Sequence, residues 1–230
     1  MTRLLLASAS PARRATLEAA GVDALVAVSG VDEDAVLADG RRRYGNLPPA
    51  DAVLVLAQAK AEAVSRALTA GKVVPDGAAP EDDLDDLLVL GCDSMLELDG
   101  DILGKPADAH DARERWRAMR GRVGVLLTGH WLVDDRDAAA GGTGGTLGAT
   151  SSTVVHFADL SDAEVDAYVA TGEPLAVAGA FTVDGLGGPF VTRIEGDHHG
   201  VVGVSLPLLR ELLGEVGVGL PDLWRAAVRA

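Results

Sequence analysis

Three groups of residues in this chain have types and spacings that could do chemistry. The first is Ser8-Ala9-Ser10-Pro11-Ala12-Arg13-Arg14, directly after the apolar run Leu4-Leu5-Leu6. Ser10 suits a helix N-cap and Pro11 the first helical position, so a buried strand is expected to run into a helix here. The unpaired N–H groups of that first turn, the helix dipole and a guanidinium together favour an anion such as phosphate. The same residues also suit an ordinary capped helix with two solvated arginines. Gly21 is placed to end the helix.

The second group is Asp93, with Ser94 beside it, following the apolar run Leu87–Cys92. A carboxylate at the end of a buried strand is where α/β proteins place ligands. Lys105, between Gly104 and Pro106, lies beyond the turn signal Asp99-Gly100, which could carry it back toward Asp93. Taken singly, a turn aspartate and a surface lysine explain these two equally simply. The third group is Asp32 and Glu33, after a strand-like segment. Carboxylate and phosphate oxygens are what Mg²⁺ or Mn²⁺ prefers. Cations for a polyphosphate, and acids for a metal and a water, are the parts of a phosphoanhydride hydrolase.

Alternating strand and helix signals imply an α/β fold that positions these groups. Strands are expected at Leu4–Leu6, Ala24–Ser29, Leu87–Cys92, Val123–Val133, Thr153–Phe157 and near Phe190–Ile194. Helices are expected from Pro11, over roughly Ala50–Ala70 with Gly71 as its stop, from Asp108 to Arg120, and near Pro207 and Pro221. Ser161-Asp162-Ala163-Glu164 reads as a capping box opening a helix to Thr171. The stretch 75–86, which holds Glu81, Asp82, Asp83, Asp85 and Asp86, and the Gly-rich stretch 135–151 read as loop insertions within a single domain over 1–230.

Composition excludes several classes. A net charge of −15 argues against a protein that coats nucleic acid, yet local cations can still hold a small nucleotide. Hydrophobic residues make up 48% of the chain but aromatic ones only 3%, so the core is expected to be built mostly from Leu, Val and Ala. Cys92 is the only cysteine, which rules out an intrachain disulfide and a cysteine-rich zinc site. No apolar run is long enough for a membrane span and no signal-peptide pattern opens the chain, so a cytoplasmic protein is expected. Cys92 reads as core, and Trp116 and Trp224 as helix faces. Gly185, Gly187 and Gly188 could line a nucleotide or make a tight turn. His198 and His199 read as loop residues, since neighbours on an extended segment point opposite ways.

The motifs together resemble the Maf family, nucleoside triphosphate pyrophosphatases once described as septum-formation inhibitors. In family order they are Leu6-Ala7-Ser8-Ala9-Ser10-Pro11 with Arg13, Asp32-Glu33, Leu56-Ala57-Gln58-Ala59-Lys60-Ala61, Gly91-Cys92-Asp93-Ser94, Gly104-Lys105-Pro106 and Thr128-Gly129. Tyr168-Val169-Ala170-Thr171-Gly172-Glu173-Pro174, Ala178-Gly179-Ala180-Phe181, Val201-Val202-Gly203 and Leu206-Pro207 follow. The resemblance runs from Leu4 to about Gly217. It implies a mixed α/β, ITPase-like fold with two lobes around a deep nucleotide cleft, in proteins often found as homodimers. The implied reaction cuts a nucleoside triphosphate between the α and β phosphates with a divalent metal, Mg²⁺ or Mn²⁺.

Carried over position by position, Asp93 matches the family's proton acceptor. Ser8, Ser10, Arg13, Lys60 and Lys105 match phosphate-side residues, and Glu33, with Asp93, matches the metal side. For Lys60 the resemblance overrides the residue pattern, which reads as a solvated helix lysine. Ala12, Ser94 and Asp184 stand where relatives active on dTTP and UTP carry arginine, threonine and glutamine. Val177 and Gly124 replace a lysine and a histidine. A broad or altered range of nucleoside triphosphates is therefore expected, with neither nucleic acid polymer nor membrane as partner. The alternative is a nucleotide-binding regulator of septum formation with little hydrolysis.

Overall fold

A computed structural model describes residues 2–79, 84 and 86–224. Of the acidic run, Glu81, Asp82, Asp83 and Asp85 lie outside the described residues. The chain enters through β1 (Arg3–Leu6), α1 (Pro11–Ala19) and β2 (Leu25–Val26). Ser10 caps α1 by accepting from Arg13 N, with Pro11 in the first turn, as its residue types require. The strand expected over Ala24–Ser29 shrinks to β2 because β1 offers it only Leu5 and Leu6 as partners.

Two helices follow, α2 (Glu33–Tyr44) and α3 (Pro49–Thr69). The first is absent from the sequence expectations. Asp32 N-caps it through Ala35 N, Glu33 and Asp34 fill its first turn, and Arg41, Arg42 and Arg43 its last, a charge order that suits the helix dipole. In α3 the buried positions Val53, Leu56, Ala57, Lys60, Ala61 and Val64 form one helical stripe.

The sheet's long members are β3 (Leu87–Leu98), β5 (Val123–Asp134) and β6 (Thr146–Phe157), with β4 (Asp101–Leu103) and the later β7 (Val191–Glu195) at its margins. Their order is β2-β1-β3-β5-β6-β7, with β4 paired to β3. β1 pairs in parallel with β2 and β3, and the remaining pairings are antiparallel. β3 does not stop at Cys92 as its apolar run implied. It continues through Asp93 to a hairpin in which Asp99 and Gly100 both take positive φ, 53° and 91°, the requirement of a two-residue primed turn. The Gly-rich stretch is likewise shorter than expected, because residues 146–151 pair with β5 as strand. Gly148 passes over Trp131, whose ring a Cβ there would strike.

The helices α4 (Ala109–Met119), α5 (Asp162–Ala170), α6 (His198–Val202) and α7 (Leu206–Glu215) complete the fold. The capping box of Ser161 and Glu164 is present in α5. Near Pro221 a single 3-10 turn, Leu220–Leu223, is seen, and the rest of that expected helix lies outside the described residues.

Strand alternation assigns the faces. Leu5, Leu87, Val89, Met95 and Leu127 meet α3 on one face. On the other, Leu4, Leu6, Leu88, Leu90 and Leu132 meet α1 and α7. Farther along that second face, Leu96, Leu126, Val155 and Phe157 meet α4 and α5. Between these two apolar blocks β3 and β5 present Ser94 opposite Thr128. Among the described residues no helix is long and apolar enough to cross a membrane.

Candidate active site

A cavity of about 530 Å³ opens where β3 outruns β1, a volume in the range of small-molecule sites. It brings together Ser8, Ser10, Ala12, Arg13, Glu33, Lys60, Asp93, Ser94, Lys105 and Asp184. These are the residues matched to phosphate, metal, base preference and proton transfer, with Val177 beside them; Asp32, expected with Glu33 on the metal side, instead caps α2, and Gly124 does not line the cavity. Arg14 does not; it pairs with Glu18 one turn along α1 in solvent.

Asp93 stands on the face of β3 toward α3, buried at 7% exposure. Lys60 comes down on it because α3 lies almost against the sheet. A Cβ at Gly91 would collide with the Ala57 carbonyl and approach Ala61 N to 2.8 Å; one at Gly129 would collide with Val53 and meet Leu54 N at 2.7 Å. Two glycines on adjacent strands let the helix backbone close in. Lys60 Nζ then lies 2.5 Å from Asp93 Oδ1 and 2.7 Å from Glu33 Oε1. Burial pushes the Asp93 carboxyl above its ordinary value, against the pull of Lys60 and Arg13. Burial also acts to raise Glu33, but the hydrogen bond and charge of Lys60 outweigh it and leave Glu33 lowered. Sequence spacing carried a signal for Lys60: it falls on the apolar stripe of α3, where a solvated lysine does not belong.

Arg13 crosses the gap between the two apolar blocks. Its Nε donates to Gly203 O at 3.0 Å, one terminal nitrogen to Ser8 Oγ at 3.1 Å and Cys92 O at 2.8 Å, and the other to Ser94 Oγ at 3.1 Å. Four of its five N–H groups therefore hold protein acceptors among the described residues. Ser94 Oγ lies 2.9 Å from Thr128 Oγ1, whose own hydrogen goes to Gly200 O at 2.8 Å. The Ser94 hydroxyl must then donate to Thr128 while accepting from Arg13. Ser8 Oγ also takes the Ser10 N–H at 3.2 Å, which folds the 8–10 turn around the mouth of α1.

Lys105 is exposed at the cavity rim. Its loop is clamped from α4: Arg115 donates to Gly104 O at 2.6 Å and to Lys105 O at 3.3 Å, and is itself held by Asp111 at 2.8 Å. Gly104 O also accepts from Gly179 N at 3.0 Å, so the Lys105 loop and the opposite wall share an atom. In that wall Ala180 takes a positive φ of 60°, stabilised by Trp116 Nε1 donating to Ala180 O at 2.8 Å.

The Cys92 thiol is pushed up to about 12 by burial, which removes it as a nucleophile. The histidine pair is not on an extended segment. Asp197 caps α6, and His198 and His199 open that helix with ring centroids 3.9 Å apart. With Asp197 their ligand atoms all lie within 4.8 Å, outside the cavity that holds Asp93. The Asp197 oxygens already accept from His199 N and Gly200 N, each at 3.1 Å.

A cavity beside an α/β sheet that gathers three carboxylates, three cations and a helix N-terminus has the parts needed to hold and cleave a phosphate anhydride. The Maf-like protein family model matches residues 3–216, and the chain belongs to that family. A relative from Salinispora tropica is 54% identical over 96% of this chain and 87% of its own length. One from Rhodococcus jostii is 50% identical over 100% and 99%, and one from Streptomyces coelicolor 50% over 98% and 96%. Each of these is named nucleoside triphosphate pyrophosphatase.

Proposed function

We propose that this protein hydrolyses nucleoside triphosphates between the α and β phosphates, releasing a nucleoside monophosphate and pyrophosphate. The observation that carries the reading is the contact of buried Asp93 with Lys60 inside a cavity that Arg13 and Lys105 also line. The names of the full-length relatives support it.

Asp93, its pKa raised by burial, takes a proton from a water as that water's oxygen bonds to the α-phosphorus. The bond from the α-phosphorus to the α–β bridging oxygen breaks. The charge that develops on the departing pyrophosphate is offset by Lys105, Lys60 and Arg13, with the α1 N-terminus and the Ser8 and Ser10 hydroxyls orienting the chain of phosphates. Glu33 and Asp93 would hold Mg²⁺ or Mn²⁺ through carboxylate oxygens, the ligands such ions prefer, once those oxygens turn from the Lys60 ammonium that both engage here. Such an ion would polarise phosphate oxygens there. Ala12, Ser94 and Asp184 differ from the residues of dTTP- and UTP-cutting relatives and are assigned to base preference.

Incubating the pure protein with the four common nucleoside triphosphates and Mn²⁺ tests the proposal. Pyrophosphate should appear with the monophosphate. Orthophosphate instead would move the cut to the γ end and overturn the reading. Tight binding without turnover would support the regulator alternative.

A further inference from the structure

The 176–184 wall of the cavity carries Thr182 and the exposed carboxylate of Asp184, and it meets the Lys105 loop where Gly179 N donates to Gly104 O at 3.0 Å. Asp184 is one of the positions assigned above to base preference, so this wall is read as the one that faces the nucleoside. The wall has little regular structure of its own: one 3-10 turn, Ala178–Ala180, lies within it, and two more, Glu173–Ala176 and Gly188–Phe190, adjoin it. Something else must give it a shape.

Glu173 does so. Its Oε1 accepts from Tyr168 Oη at 2.9 Å, Thr182 Oγ1 at 2.8 Å and Gly187 N at 2.9 Å, and its Oε2 accepts from Leu186 N at 2.9 Å. Four donors from both sides of Asp184 thus converge on one carboxylate. The fit leaves no spare room. A Cβ on Gly185 would collide with the Glu173 carboxylate, and one on Gly187 with the Tyr168 hydroxyl. Tyr168 is itself pinned edge-on against Trp116 and Phe190, at centroid distances of 5.5 and 5.3 Å. Gly185 is therefore bare because the carboxylate passes beside it, and Gly187 because the Tyr168 hydroxyl does.

We propose that Glu173 is a positioning residue for the base: it fixes the turn that carries Asp184, and so sets base discrimination without touching the phosphates. This rests on the reading of the cavity as a nucleoside triphosphate site. Hydrogen bonds to a carboxylate are of the strong, charge-assisted kind. Replacing the carboxylate with an amide turns an NH₂ group toward at least one of the four donors.

The experiment compares wild type, Glu173→Gln and Tyr168→Phe on ATP, GTP, CTP and UTP, with pyrophosphate as a competitive inhibitor. In Glu173→Gln, KM for the preferred triphosphate should rise about tenfold, as for one lost charge-assisted bond. The spread of kcat/KM across the four bases should narrow, and the pyrophosphate inhibition constant should stay unchanged. Tyr168→Phe, which loses a single donor, should move in the same direction by a smaller factor, and it decides the matter if Glu173→Gln does not fold. A folded variant with the wild-type base ranking and spread overturns the proposal. So does a pyrophosphate constant that rises in step with KM, since that marks a general loss of structure. A wild-type protein that neither binds nor cuts any of the four overturns the underlying reading, and this one with it.

Discussion

Lys60 and Asp93 hold each other in a place that neither could occupy alone. A carboxylate at 7% exposure and a lysine at 9% each lose most of their hydration, and the opposite charge at 2.5 Å, with Glu33 at 2.7 Å from the same ammonium, compensates. Two predictions belong to this contact. Asp93→Asn, in which Glu33 still pairs Lys60, should lower turnover by roughly 10²–10⁴, the range for loss of a general base; full pyrophosphate release by the folded variant would remove Asp93 from that role. Lys60→Met keeps the volume and deletes the charge that restrains Asp93 from rising further. A base acts unprotonated, so activity climbs as pH passes its pKa. The acidic limb of the kcat/KM profile should therefore move to higher pH in the variant, and an unmoved limb would show that Lys60 does not tune Asp93. Asp93 and Lys105 were readable from their places beside strand and turn signals, whereas Lys60 rested on family resemblance until the stripe of α3 exposed it.

Among elements, α3 and β3 matter most, because their closeness sets the reach of Lys60. Gly91 and Gly129 were visible only as pieces of motifs. Their purpose needs the helix backbone that lies over them, and no local spacing announces it. Gly91→Ala should push α3 off the sheet and cost about 1–3 kcal/mol, the usual penalty for overpacking. A lower urea midpoint with an unchanged slope would bear this out, and an unaltered midpoint would mean that the helix yields freely. Caps and turns were the most readable elements: Ser10, Asp108 and Ser161 act on their own helices, and the Asp99-Gly100 turn closes between adjacent strands. α2 and the first half of β6 were missed, since arginines and glycines there hide the pattern that pairing and packing then impose.

Across the whole molecule, burial of polar groups makes stability depend on pH. His130 is fully buried on β5; its Nδ1 donates to Thr128 O at 3.0 Å and its Nε2 accepts from Ser205 N at 2.8 Å. Burial lowers its pKa from 6.5 to about 4. Between those values the unfolded chain binds a proton that the native state refuses, so stability rises with pH in this window. On the order of 3 kcal/mol should be lost as pH falls through it. Asp134, held by Arg136 and Thr143 and lowered to about 2, prolongs the loss at still lower pH. Thermal melts from pH 7 to pH 4 should show the decline, with a flatter slope in His130→Gln; equal slopes would place the proton elsewhere.

Sequence alone determined the α/β pattern and the capped start of α1, and it set Arg13, Asp93 and Lys105 beside strand, helix and turn signals, because caps, turns and apolar runs act over a few neighbouring residues. Tertiary structure alone decided that Lys60 bridges Glu33 and Asp93, that Arg13 spends most of its donors on the protein, and that Glu173 shapes the wall bearing Asp184. Each of those contacts depends on how closely helices pack on the sheet or on how irregular turns meet, and no periodicity in the chain encodes such distances.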